Sequence, residues 1–377
     1  MGVIQTISKN ARLIASSRNW IEGDAVEQLK STSSLDGIIE GIGMPDIHPG
    51  KGHPVGAVFI SETVIYPYII GNDIGCGVGL WQTSIKKNKI KRDKWVKKLA
   101  GFNHQLIEDI NPWLEKYGVD SSLWNESIGT IGKGNHFAEL SVVSSIKEER
   151  ELSNLGLDKN RAVILVHSGS RGLGDHVLRA YVDKHKAGGV APDSSDGRIY
   201  LEGHNTAVAY AGLNREIITR KICSLLNADC CLAADCVHNF ISTCTTNNRT
   251  LYVHRKGAVS ALNGPVVIAG TRGSCSYIVK PVVENTADVG DSLPHGAGRK
   301  WKRGEARGKL KSRFSSRDLT HTKLGSMVIC DDKKLLYQEA PEAYKNIEIV
   351  ISDMVDAGLI KVIALLSPVI TYKVNSQ

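Results

Sequence analysis

No stretch of this 377-residue chain is an uninterrupted apolar run of the length a membrane span needs, about 18 residues, so none is expected. The first residues carry Lys9, Arg12 and Arg18 with no long apolar run, so no secretory leader is expected either. Met1-Gly2 with Thr6 matches only the loose N-myristoylation pattern. Aromatic residues make up 6%, which argues against a surface built of stacked aromatic platforms for single-stranded nucleic acid. Internal repeats, low-complexity tracts and clear linkers are missing. So are two common nucleotide signatures. No Gly-x-x-x-x-Gly-Lys-Ser/Thr loop occurs, and Gly169-x-x-Gly172-x-Gly174 has the wrong spacing for a dinucleotide fingerprint. The eight cysteines lack paired zinc-knuckle spacing, and reduced thiols in a cytoplasmic protein fit them best. Cys230, Cys231 and Cys236 fall in an apolar run that reads as helical, and are expected in the core.

What is present points to a folded enzyme. Hydrophobic residues make up 42%, enough for a sizeable core. The net charge of +8 is concentrated in two blocks. Arg299–Asp318 holds nine Lys/Arg against Glu305 and Asp318, and Lys86–Lys98 holds eight against Asp93. Basic blocks on a mildly acidic remainder suggest a polyanionic partner; solvated helix faces are the plainer reading.

Short β-branched runs predict strands at Ala57–Ile60, Ala162–His167, Leu251–His254, Pro265–Ala269, Ser276–Val279 and Ile360–Leu366. Apolar periodicity predicts helices over Lys91–Gly101, Gly174–Lys186, Ile347–Ala357 and from about Asn205 to Cys223, the last resuming up to Phe240. Pro192–Gly197 reads as a loop tip. Interleaved strands and helices give an α/β class of mixed α+β character. One compact domain is expected over residues 1–377, with mixed sheets around a central metal and nucleotide pocket and with 299–318 as a substrate-facing insert.

Ligand-type residues recur in glycine-rich frames. Asp73 and Cys76 lie three apart in Gly71-Asn72-Asp73-Ile74-Gly75-Cys76-Gly77. His136, His167 and His238 sit beside glycine or asparagine where regular elements end. One carboxylate, one thiol and several imidazoles suit a borderline divalent metal, manganese or zinc, and the thiolate could bridge two ions. Gly270–Ser276 offers hydroxyls and backbone N–H groups for a phosphate or a purine edge, or is a plain tight turn. His295, in Pro-His-Gly-Ala-Gly-Arg, has small neighbours and Arg299 four residues on. It could attack phosphorus while a metal and Arg299 offset the developing charge. Lys373 could supply a further positive charge.

In order along the chain, these motifs resemble those of the RtcB-type RNA ligases. The resemblance spans about Gly41 to Lys373. It includes Met44-Pro45-Asp46-Ile47-His48-Pro49-Gly50, the Asp73/Cys76 turn, Gly134–Glu139, His167–Gly174, His238-Asn239-Phe240, His254–Ala258 and His295–Arg299. It implies that Asp73, Cys76, His136, His167 and His238 hold two manganese ions, zinc being the weaker candidate. It implies that His295 takes GMP from GTP and passes it to an RNA 3′-phosphate, itself formed from a 2′,3′-cyclic end. A 5′-hydroxyl then seals the break. Glu139 would read the guanine edge, and Asn135, Phe137, Asn239, Thr271, Ser276, Gly296 and Lys373 would line the nucleotide pocket. Arg171, Arg299, Lys300, Lys302 and Arg303 are the candidate RNA contacts.

The chain departs from the family pattern where Pro-Gly-Ser-Met-Gly is replaced by Ala269-Gly270-Thr271-Arg272-Gly273, which puts a charge near the nucleotide. It is similar to compact bacterial second-type members, some of which accompany a release-factor-like protein. This implies a monomeric repair enzyme for cleaved translation RNA, with such a protein or the ribosome as a possible partner. A cyclic-phosphate hydrolase without ligation is the alternative.

Overall fold

A computed structural model describes residues 3–105, 107, 109–123, 127–246 and 248–374. In chain order the strands are β1 (Ile4–Ser8), β2 (Ala11–Ile14), β3 (Ile38–His48), β4 (Val55–Ser61), β5 (Gly77–Lys86), β6 (Phe137–Ile146), β7 (Arg161–Ser168) and β8 (Cys230–Val237). They continue as β9 (Asn239–Thr246), β10 (Arg249–Lys256), β11 (Ala258–Ser260), β12 (Val266–Ile268), β13 (Ser276–Pro281), β14 (Ser292–Pro294), β15 (Met327–Cys330) and β16 (Ile360–Val374). One sheet runs β1-β2-β3-β4-β10-β9 and a larger one β12-β13-β16-β6-β7-β5-β8, with β15 beside β16; β11 and β14 pair separately. The class is mixed α/β, as the sequence predicts. The Met1-Gly2 pattern lies outside the described residues, and no helix among those described is long and apolar enough to cross a membrane.

The larger sheet positions the site. Across β6-β7-β5-β8 every neighbouring pair is antiparallel. The starts of β5 and β6 and the ends of β7 and β8 therefore share one edge. Cys76 precedes β5, His136 precedes β6, His167 is next to last in β7, and His238 follows β8. Four ligand candidates spread over 162 positions are gathered by register alone. The strands between are buried on both faces: β7 is buried from Ala162 to Ser168, which is why it reads as a continuous apolar run.

Three expectations are corrected. The long helix does not resume to Phe240. It runs Ser195–Leu226 and stops at Asn227, whose φ of 53° is a left-handed cap; Cys230–Val237 is strand β8. His238 thus joins two sheets rather than ending a helix. Of the three cysteines expected in the core only Cys236 is buried, because β8 alternates at the sheet edge and leaves Cys231 exposed. Pro192–Gly197 is not wholly a loop, since Ser194 caps the long helix by accepting from Gly197 N.

Candidate active site

A cavity of about 440 Å³ opens at that sheet edge. On one wall Cys76 Sγ lies 3.3 Å from His136 Nε2 and 3.2 Å from His167 Nε2. His167 Nε2 is 3.3 Å from His238 Nε2, and His136 Nε2 is 2.9 Å from Asp73 Oδ2. Donors about 2.0–2.3 Å from a tetrahedral ion stand roughly 3.3–3.8 Å from one another, so this spacing matches what a dication requires. Burial pushes His167 and His238 well below the usual histidine range, which keeps their imidazoles neutral, as ligands must be. Burial alone would raise Asp73, but His136 and the neighbouring thiol pull its carboxyl below the usual carboxylate range. The same burial and the Asp73 charge push the Cys76 thiol well up; a bound cation would reverse that and draw off the proton. The five residues therefore fit the metal set that the family resemblance implies.

The loops carrying these candidate ligands are braced from behind. Arg215, fully buried on the long helix, donates to Gly75 O and Ser168 O, both at 2.8 Å, and forks onto Asp235 with two bonds of 2.7 Å. Its neighbour Asn214 donates to Ser168 Oγ and Gly169 O. The loops also approach closely. A Cβ on Gly169 would stand 2.1 Å from Asp73 Oδ1, and Gly75, at φ +75°, would press one to within 2.8 Å of Ala211. Glycine is required at Gly75 by its φ and this contact, and a side chain at Gly169 would displace the Asp73 carboxylate.

Opposite the cluster stands His295, immediately after β14. Its ring centroid is 4.8 Å from that of His238. Its Nδ1 lies 2.7 Å from Asp46 Oδ2, although the angle is not that of a hydrogen bond. Asp46 Oδ2 also accepts from Gly296 N at 3.4 Å. The strand around Asp46 is pinned by Lys345 Nζ, which donates to Pro45 O and Ile47 O. His48, stacked 6.4 Å from His295, is pushed down to about 3 by burial. Asp46 and His48 are functional candidates that the site reading from sequence passed over. Their spacing of two in a strand, which puts both on one face, is the signal that could have found them.

At the far end of the cavity Glu139 is buried between Thr371 Oγ1 (2.7 Å) and Ser141 Oγ (2.9 Å). Burial raises its carboxyl to about 7 and lowers the nearby Lys373 ammonium to about 8. Asn135, Phe137, Asn239, Thr271 and Gly296 line the same space. Ser276 is not in the lining; its Oγ accepts from Gly270 N at 3.0 Å and braces the loop instead. Arg299 and Arg303 enter the cavity and share Glu339 at 3.1 and 3.0 Å. Lys300 and Lys302 stay exposed on the rim, Lys302 beside Asp24. Arg171 lies outside the lining and donates to Thr130 Oγ1.

The family description "tRNA-splicing ligase RtcB" matches residues 28–113 and 114–374. The chain belongs to the RtcB family of RNA ligases. It is 42% identical over 375 residues, 98% of this chain and 97% of the relative, to "RNA-splicing ligase RtcB2" of Escherichia coli. Over 439 residues, 92% of the chain and 81% of the relative, it is 28% identical to "RNA-splicing ligase RtcB homolog 1" of Entamoeba dispar. The family match therefore extends over the metal-type cluster, His295 and both ends of the cavity.

Proposed function

We propose that the chain joins RNA 3′-phosphate or 2′,3′-cyclic phosphate ends to 5′-hydroxyl ends, using GTP and manganese, through a guanylate carried on His295. The observation that supports this reading most is the pairing of His295 with Asp46 at 2.7 Å, directly across from the cluster of Asp73, Cys76 and three histidines. The negative charge of a carboxylate 2.7 Å from Nδ1 favours the proton on that nitrogen, which leaves the lone pair on Nε2. Nε2 then attacks the α-phosphorus of GTP. An N–P bond forms, and the bond to the β-phosphate oxygen breaks to release pyrophosphate. A cyclic end is first opened by water to the 3′-phosphate, an oxygen of which then attacks the guanylate phosphorus; the N–P bond breaks and its electron pair returns to Nε2. The 5′-hydroxyl, losing its proton to solvent, attacks that activated phosphorus, and GMP leaves with the electron pair of the broken anhydride. Two manganese ions, held by Asp73, Cys76, His136, His167 and His238, would offset charge on the phosphoryl oxygens. Glu139 accepts from the N–H edge of guanine, and Lys373 donates to an acceptor on the base. Arg299 is placed for the RNA phosphate. Eight free cysteines fit work in a reducing cytoplasm.

Mass spectrometry after incubation with GTP and manganese tests the reading. A guanylate adduct is expected on the wild type and none on His295→Ala. A wild-type protein without the adduct, or a variant that keeps it, overturns the proposal. End-joining of RNA with defined termini separates ligation from simple opening of the cyclic phosphate.

A further inference from the structure

Beside the active-site cavity lies a second concavity of about 580 Å³. Thr271 and Tyr344 line both, so the two share a wall. Its rim carries two of the six tryptophans of the chain, Trp20 and Trp301. Trp20 is 50% exposed, a large aromatic surface left in water. It is not a floppy ring on a loose loop. The preceding Asn19 is buried and donates to Pro45 O at 3.0 Å and to Asp353 Oδ2 at 2.7 Å. Arg18 before it reaches Asp356 at 3.1 Å and Ser352 Oγ at 2.9 Å. The indole is thus presented on an anchored backbone, tied through Pro45 to the strand that bears Asp46.

Cationic side chains share the groove with the ring. Arg18, Lys300 and Arg313 line the groove with Glu342 as the carboxylate among its lining residues. Trp301 is packed under ammonium groups, with Lys300 Nζ 5.4 Å and Lys309 Nζ 4.8 Å from its ring centre. Trp301 therefore holds lysines in place, and Trp20 offers the free face. The low aromatic content of the chain excludes a row of stacking platforms, but one rigid indole flanked by cations serves one base and its adjoining phosphates.

We infer that this groove is a subsite for the single-stranded end of the RNA substrate, one base stacking on Trp20 while Lys300 and Arg313 neutralise the backbone beside it. A polyanion with an exposed π-face is the occupant that both features fit, and the wall shared with the cavity delivers its terminus to His295. The inference rests on the ligase reading above, so its test reads RNA binding separately from guanylate transfer.

Trp20→Ala, Trp20→Tyr and Lys300→Gln/Arg313→Gln are compared with wild type. Fluorescence anisotropy with a short single-stranded RNA bearing a 3′-phosphate gives binding across a salt series. Mass spectrometry with GTP alone gives adduct formation. Trp20→Ala should weaken RNA binding about five- to hundredfold, the range of one base–aromatic stack. Trp20→Tyr should recover most of it, and the double cation variant should flatten the salt dependence. The guanylate adduct should form at the wild-type rate in Trp20→Ala and Trp20→Tyr. RNA binding unchanged by Trp20→Ala overturns the inference, whether or not a protein partner is lost with the ring. A wild type that binds RNA through Trp20 but takes no guanylate keeps the groove and sinks the ligase reading alone.

Discussion

Arg272 is costly where it stands. It is 6% exposed, its guanidinium donates one bond to Leu336 O at 2.9 Å, and Nε and Nη1 find no partner among the described residues. Burial pulls the group below the usual arginine range, against the field of Cys330, Tyr344 and the two glutamates 339 and 342. An orphaned buried donor costs about 1–3 kcal/mol, more when charged. The sequence singles out Arg272 as a charge close to the nucleotide, and it does line the cavity. Its lack of partners could not be read, because they would come from Leu336–Glu342, far along the chain. We predict that Arg272→Met raises the melting temperature by about 1–2 °C, as relief of about 1 kcal/mol would in a chain of 377 residues, while raising the KM for GTP in adduct formation several-fold. A variant that is no more stable and keeps the wild-type KM would mean that the charge is satisfied in place and does nothing for the nucleotide.

Among the elements, the helix Ser195–Leu226 has the widest influence on the site although it offers no ligand. Its middle was legible from apolar periodicity. Its ends were not: Ser194 hid its cap inside a turn-rich stretch, and Asn227 ended the helix in a left-handed conformation that the apolar run beyond it masked. β16 was likewise seen only to Leu366. The strand passes Pro368 at a register irregularity and continues to Val374, which brings Thr371 and Lys373 to the cavity. The brace supplied by Arg215 could not be read at all, because an arginine on an apolar helix carries no mark of which carbonyls it will meet. Arg215→Met removes four bonds to Asp235, Gly75 O and Ser168 O. Breaking a buried, hydrogen-bonded charge in this way costs about 3–5 kcal/mol. We predict a large fall in melting temperature, measured by calorimetry, and metal affinity weakened tenfold or more by titration calorimetry at a temperature where the variant is folded. Unchanged metal affinity in the folded variant would show that the ligand loops hold themselves.

Across the whole molecule, chemistry is assembled from segments that sequence order keeps apart. Asp46 meets His295 across 249 positions, and no local pattern announces the pair. The two basic blocks meet in a similar way. The helix Arg92–Leu99 of the first block packs on β15, and Arg92 donates to Gly325 O at 2.8 Å just before that strand. The helix Ser316–Thr320, at the end of the second block, packs on β15 as well. Blocks that read as two separate patches thus both reach β15, one through each of these helices. If both touch RNA phosphates, each lost contact lowers the slope of log K against log salt by about 0.7 for a single strand. Lys94→Gln/Lys97→Gln on the first helix and Lys309→Gln/Lys311→Gln on the helix Arg303–Lys311 should then each reduce the slope by about 1.4, and the four changes together by about 2.8. A slope that responds to the second pair alone would confine RNA to the His295 side and leave the first block as a solvated helix face, the plainer of the two readings its composition allows.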